Sequence, residues 1–189
     1  MSHNFLFSSS FHAFLFTIDV EFINDAQKKG CCFCGGKLHR ASYPRSPLGI
    51  SPQQRHHYEK RLSLCCYTCR KRATPPSVRF FGRCRFPGAI FLFISLLTQS
   101  INQYRIEQLK RRLGVRISIR TWKRWRRWWC EQFIKSRFWL QAKGLIRTNA
   151  SSLVYPRFFL SLFSGVLQEK MILLLQFLSP VTSEFLHAI

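Results

Sequence analysis

Cys31-Cys-Phe-Cys-Gly-Gly36 and Cys66-Tyr-Thr-Cys-Arg-Lys71 each place two cysteines at Cys-x-x-Cys spacing, Cys31 with Cys34 and Cys66 with Cys69. A two-residue spacer folds into a knuckle whose two sulfurs face one point. Two knuckles together offer four thiolates, the ligand set of a closed tetrahedral zinc site. Gly35 and Gly36 follow the first pair and ease its turn. With every position filled by protein the zinc would be structural, and binding it would supply folding energy. Cys32 and Cys65 adjoin the pairs and leave the register open by one. Only Cys31, Cys34, Cys66 and Cys69 give the two-residue spacer in both.

Thirty-one residues separate the knuckles, more than the usual roughly 15–20. Pro44, Pro47, Gly49 and Pro52 punctuate this loop. His39, His56 and His57 read as polar loop residues, and Cys84 and Cys130 as structural thiols. The segments 62–67 and 77–81 read as short strands separated by Pro75-Pro76.

Charge is the second signal. The 189 residues carry 30 Lys and Arg against 8 Asp and Glu, a net charge of +22. Such a balance repels itself unless a polyanion neutralises it, so nucleic acid is the first partner class and an anionic membrane the second. The apolar runs argue against insertion. Residues 89–97 are interrupted by Ser95, and residues 171–178 by Gln176, where a spanning helix needs about twenty. Phe5 to Phe22 is longer but holds Ser8, Ser9, Ser10, His12, Asp19 and Glu21. Lys28 is the first basic side chain, so no basic n-region of a secretory signal is visible. Metal-type cysteine pairs then favour a reducing, cytoplasmic setting over disulfides.

From Gly88 the pattern becomes helical. Residues 89–97 are apolar on nearly every side and predict a buried helix. Ser100 with Gln103 forms a capping box for a second helix, with Ile106, Leu109 and Leu113 at helical spacing and Gly114 at its end. Ser118 caps a third, in which Ile119, Trp122, Trp125 (or Arg126), Trp129 and Phe133 share a face. These tryptophans read as core rather than as base-stacking surfaces.

Helix, glycine-containing turn and helix is the grammar of a helix-turn-helix. Between Lys110 and Arg127 lie nine basic residues and no acid. Arg120, Thr121 and Lys123 or Arg124 are expected to face base edges of double-stranded DNA. Lys110, Arg111, Arg112, Arg116 and Arg127 are expected at the phosphates, with Arg126 beside them. A basic helix lying on a membrane is the alternative for this segment.

The expected fold class is α+β, in four parts. Residues 1–29 are a Phe-rich extension, either an accessory strand or helix or a poorly ordered segment. Residues 30–87 form a small zinc ribbon and 88–135 the helix-turn-helix. Residues 136–189 form a hydrophobic helical region, expected to pack or to join two copies, broken at Pro156 and Pro180, with a short helix near 168–178.

Cys32-Phe-Cys-Gly-Gly36, Cys66-Tyr-Thr-Cys-Arg-Lys71 and Thr74-Pro-Pro-Ser-Val78 before an apolar helix resemble the N-terminal region of zinc-ribbon insertion-sequence transposases. Leu113-Gly-Val115 and Ser118-Ile-Arg-Thr-Trp-Lys-Arg-Trp125 are similar to the turn and helix that follow there. Small bacterial proteins with only these modules look alike too. The resemblance covers residues 30–130 and implies a DNA-recognition factor at the bacterial nucleoid. Two departures are the long inter-knuckle loop and Arg116-Ile117, which lengthens the turn. Such transposases cut DNA with a carboxylate triad and two metal ions. After Phe133 this chain has only Glu169 and Glu184, so it is not expected to be an enzyme. An RNA-binding zinc-ribbon accessory and a membrane-associated basic protein remain the alternatives.

Overall fold

The computed structural model describes residues 4–82, 84–97, 102–145 and 157–184. It is a mixed helical and antiparallel-sheet protein that divides into two compact units. The first takes in the chain up to Ala89 together with the segment from Leu175. The second is Ile90–Leu174.

The first unit begins with helix α1, Ser9–Lys29. Its buried positions Phe11, Leu15, Ile18 and Ile23 recur every three to five residues and make one apolar face. Far from being an appendage, this helix supplies the unit's central charge. Asp19, 1% exposed, accepts from Ser77 Oγ at 2.6 Å, the Val78 N–H at 2.8 Å and Arg79 Nε at 2.8 Å. Arg79 is itself fully buried and donates onward to the carbonyls of His57 and Lys60. Its guanidinium lies 4.7 Å from the Phe16 ring centroid and 5.1 Å from that of Phe80. A charge this deep is tolerable only with such complete partnering.

This network explains why residues 77–81 are not the strand their composition predicts. Their amides bond to side chains instead of a ladder. The Ser77 N–H donates to Thr182 Oγ1, that of Val78 to Asp19, and those of Arg79 and Phe80 to Ser77 Oγ. An isolated bridge between Phe80 and Pro87 is the only strand-like pairing there.

Five short strands complete the unit. β1 (Leu38–Arg40) pairs antiparallel with β4 (Leu64–Cys66), and β4 with β5 (Arg72–Ala73). β2 (Tyr43–Pro44) pairs separately with β3 (Lys60–Arg61). The long loop is therefore partly ordered, and it carries a 3₁₀ helix at Pro52–Tyr58. Tyr58 is fully buried against α1, its hydroxyl 2.8 Å from His12 Nδ1. His12 Nε2 lies 2.8 Å from the Leu6 carbonyl, which can only accept, so Nε2 carries the proton and Nδ1 accepts from Tyr58. Burial lowers the His12 pKa and raises that of Tyr58, keeping both neutral.

The second unit is helical and aromatic. Helix α2, Gly88–Leu97, enters it and is buried along residues 89–96, as its all-round apolarity predicts. α3 (Gln103–Leu113) is capped by Asn102, whose side chain accepts from the Arg105 N–H, and not by the predicted Ser100, which lies outside the described residues. Gly114 ends it at φ 64°, a left-handed conformation that suits glycine. Val115 and Ile117 are buried in the connector, and Ser118 caps α4 (Ile119–Arg127) as expected. A π-helical turn, Trp128–Gln132, continues α4, and α5 (Arg137–Ala142) follows.

Trp122, Trp125, Trp129 and Phe133 are buried as the helical spacing predicts, but Ile119 is 40% exposed. Phe91 sits among Trp125, Trp128 and Trp129 at centroid distances of 5.0, 5.7 and 5.9 Å. Phe159 joins Phe133 at 5.6 Å and Trp139 at 5.4 Å. Such pairs add about 0.5–1.5 kcal/mol each beyond the area they bury.

The C-terminal helix α6, Leu167–Glu184, passes through Pro180 instead of stopping there. Proline inside a helix costs about 3 kcal/mol. Leu174, Leu175, Leu178 and Val181 are all nearly inaccessible, and each apolar side chain so buried contributes roughly 1.5–3 kcal/mol, which outweighs the cost.

Replacing Asp19 by alanine strands the Arg79 guanidinium and is expected to cost about 3–5 kcal/mol in urea denaturation. Asp19→Leu combined with Arg79→Met should cost less than Asp19→Ala alone. Equal stability of Asp19→Ala and the unsubstituted protein would show that the pair is not the anchor described.

Candidate metal centre

Both knuckles repeat one backbone pattern. In the first, the Cys31 N–H donates to the Gly36 carbonyl at 2.9 Å and the Gly35 N–H to the Cys31 carbonyl at 2.8 Å. In the second, the Cys66 N–H donates to the Lys71 carbonyl at 3.0 Å and the Arg70 N–H to the Cys66 carbonyl at 3.2 Å. The fourth residue after the leading cysteine is left-handed in each, Gly35 at φ 69° and Arg70 at φ 59°. Glycine adopts this freely. Arg70 is the one non-glycine with positive φ among the described residues.

The elements that present the knuckles differ. The second lies in the β4–β5 hairpin. The first lies between α1 and β1, so a helix leads into it where the second has a strand. Gly30, at φ 76°, ends α1 with its N–H on the Ala26 and Gln27 carbonyls and turns the chain directly into Cys31. β1 and β4 bring the knuckles together, with Leu38 opposite Cys66.

The sulfurs of Cys31, Cys34, Cys66 and Cys69 all lie within 4.8 Å of one another. Cys31 and Cys69 are 3.6 Å apart, and Cys34 and Cys66 3.5 Å. Bonds of about 2.3 Å to a tetrahedral ion imply sulfur separations of about 3.8 Å. These distances are far above a disulfide's roughly 2.05 Å, and all four residues are free thiols. The cluster can hold a metal ion.

The register left open by the doublets is settled by the sulfurs themselves: those of Cys31, Cys34, Cys66 and Cys69 come together. In β4 strand alternation turns Cys66 inward, whereas Cys65 bonds to the Arg70 carbonyl at 3.4 Å. His39, His56 and His57 take no part in the cluster. Cys130 is exposed, so it does not pack as a structural thiol would.

Local electrostatics favour thiolates at Cys66 and Cys31 but not at Cys69. The Cys69 N–H, 3.5 Å from Cys66 Sγ, is the main influence pulling the Cys66 pKa down to about 6. The Phe33 N–H is the main influence lowering the pKa of Cys31. At Cys69 the Lys71 N–H also lowers the pKa, but desolvation and the other sulfurs outweigh it and push the thiol up to about 12. Crowded anions oppose further ionisation, and a divalent cation removes that opposition. Beneath the sulfurs sit Ile23, Leu38, Leu64 and Ala26, which keep water from one side. Gly36 leaves no room for more: a Cβ there would lie 2.7 Å from Thr68 Oγ1 and 3.1 Å from Cys66 Sγ.

The basic candidates fall into groups. Arg116, Arg120, Lys123 and Arg124 are exposed, and among the described residues no carboxylate lies within ion-pair distance of them. Lys110 and Arg111 share Glu107 at 3.6 and 3.7 Å, and Arg127 meets Glu131 at 3.7 Å. Acids just outside the one-sign run thus partner its two ends, in exposed pairs worth about 0–1 kcal/mol. The Thr121 hydroxyl is 2.9 Å from Ser118 Oγ at the start of α4. The side chain of Arg112 lies outside the described residues. Arg126 lies over the Trp122 ring at 5.6 Å.

One surface escaped the sequence reading. Each Cys-x-x-Cys encloses an aromatic residue, Phe33 and Tyr67, and these are 61% and 66% exposed. Their position inside the knuckles was the available signal.

No helix among the described residues is long and apolar enough to cross a membrane. No protein-family model, curated protein or solved structure matches the chain.

Purified protein is expected to carry about one equivalent of a thiophilic divalent ion by elemental analysis, and Cys66→Ser to lose it. Equal metal content in the variant would remove the cluster from consideration.

Proposed function

We propose that the chain is a DNA-binding protein whose cysteine cluster holds structural zinc and whose helix α4 faces the duplex, as a transposase-related recognition or regulatory factor. The observation that carries this reading is the division of α4 into two faces. Trp122 and Trp125 are buried, while Arg120, Lys123 and Arg124 stand exposed with no described carboxylate nearby. A solvated helix face usually mixes signs, because i,i+4 pairs of opposite charge stabilise it. Four cations left without acids on α4 and its approach are better explained by phosphates.

Four thiolates in tetrahedral array select zinc or iron, and zinc is the redox-inert choice for a purely structural centre. Cys31, Cys34, Cys66 and Cys69 would supply all four ligands, so no coordination position remains for substrate. When bound there, zinc contributes neutralisation of the thiolates and cross-linking of the knuckles. α3, the connector 114–118 and α4 then read as a helix-turn-helix with a long turn. Ser118 fixes the start of α4 by accepting from the Thr121 N–H at 3.1 Å, which aims Arg120, Lys123 and Arg124 outward from its first turns. Arginine can contact guanine O6 and N7 in bidentate fashion; Lys123 and Arg116 suit phosphate contacts. Recognition is the part that helix α4 and the cysteine cluster would supply in such a factor.

Duplex affinity is expected to fall steeply with salt, and Lys123→Ala to flatten the log–log slope by about one. Arg120→Ala should relax sequence preference by about 1–3 kcal/mol, more than Arg111→Ala, whose side chain already has Glu107. Absent or salt-insensitive duplex binding, followed by fluorescence anisotropy, would refute the proposal.

A further inference from the structure

The knuckle tips hold two aromatic rings out in solvent, where packing gives them nothing. Each has a cation beside it. Lys71 Nζ lies 4.1 Å from the Phe33 ring centroid, and the Arg70 guanidinium 5.5 Å from that of Tyr67. The His39 ring meets Tyr67 edge-on at 5.7 Å. These contacts still leave Phe33 61% and Tyr67 66% exposed, so most of each ring remains open.

The rings are also held in place. Phe33 lies between Cys31 and Cys34 in a knuckle closed by the Cys31 N–H to Gly36 carbonyl and Gly35 N–H to Cys31 carbonyl bonds, and the Tyr67 N–H donates to the Lys37 carbonyl at 3.0 Å. Both therefore ride on backbone fixed by the cysteine cluster, and a flat partner meeting them would lose little further freedom. The surroundings are one-signed. No Asp or Glu occurs between Asp25 and Glu59, or between Glu59 and Glu107. Among the described residues none of Lys37, Arg70 and Lys71 is in an ion pair.

We infer that Phe33 and Tyr67 form a stacking platform for unpaired bases of a single-stranded nucleic acid, with Lys37, Arg70 and Lys71 neutralising its phosphates. The inference rests on the reading of the chain as nucleic-acid-binding and adds a second, single-strand surface to it. Exposed rings among cations are the combination that sequence-tolerant strand binding uses, because every base has a flat face. Bases within a duplex are already stacked and offer no such face to these rings. An acidic peptide would answer the cations but leave the rings without a role.

The test uses the full chain with its metal and labelled oligothymidylate, oligouridylate and duplex DNA at one salt concentration. Phe33→Ala with Tyr67→Ala is expected to weaken single-strand binding about tenfold or more and leave duplex binding within about twofold. Phe33→Trp with Tyr67→Phe should keep single-strand affinity. Lys123→Ala with Arg124→Ala should do the opposite of the alanine pair, weakening duplex binding alone. If the alanine pair disturbs metal content, Phe33→Leu and Tyr67→Leu keep apolar bulk without a stacking face. Loss of single-strand affinity at full metal content then supports the platform.

Unchanged single-strand binding in the ring variants overturns the inference, as does a protein that binds duplex but no single strand. Ring-dependent single-strand binding without duplex binding would uphold the platform and defeat the α4 reading.

Discussion

A buried carboxylate organises the first unit. Asp19 receives three hydrogen bonds from the consecutive residues Ser77, Val78 and Arg79. Through Arg79 it reaches the carbonyls of His57 and Lys60. One side chain on α1 thus fixes a segment nearly sixty positions away and the far end of the long loop. Water cannot substitute at 1% exposure, so the arrangement is all or nothing. Because α1 runs directly through Gly30 into Cys31, the same contact sets where the first knuckle begins.

The cysteine cluster depends on that placement in a way the cysteines alone do not reveal. Its two knuckles share one set of backbone bonds yet arrive from a helix on one side and a hairpin on the other. A strand pair positions its knuckle through a ladder. A helix must be positioned by packing, which here means Ile23, Leu38 and Leu64 beneath the sulfurs. The polar network of α1 and the sulfur site are thus consecutive parts of one construction.

The parts legible in the sequence were those with a short period or a fixed spacing. Cys-x-x-Cys gave the four sulfurs. The i, i+3, i+7 recurrence of Trp122, Trp125 and Trp129 gave the buried face of α4 and the turn that continues it, while Gly114 gave the end of α3 and Ser118 the start of α4. What was missed depends on distant partners. The apolar face of α1 was obscured by phenylalanines on every side, of which Phe14 is half exposed. Residues 77–81 have strand composition, but their amides are claimed by Ser77 and by Asp19 and Thr182, the last two beyond any local window. The hydrophobic burial around Pro180 overrides a breaker.

The second unit is spliced into the first: residues 90–174 intervene between its two portions. The bond from the Ser77 amide to Thr182 spans 105 positions. During synthesis from the ribosome the earlier portion must therefore wait, with the amide of Ser77 unanswered, while the whole tryptophan-rich insert emerges. That insert has its own aromatic centre and can condense first. Closure of the first unit then comes last, a slow non-local step that leaves an arginine-rich intermediate exposed to whatever polyanions are near.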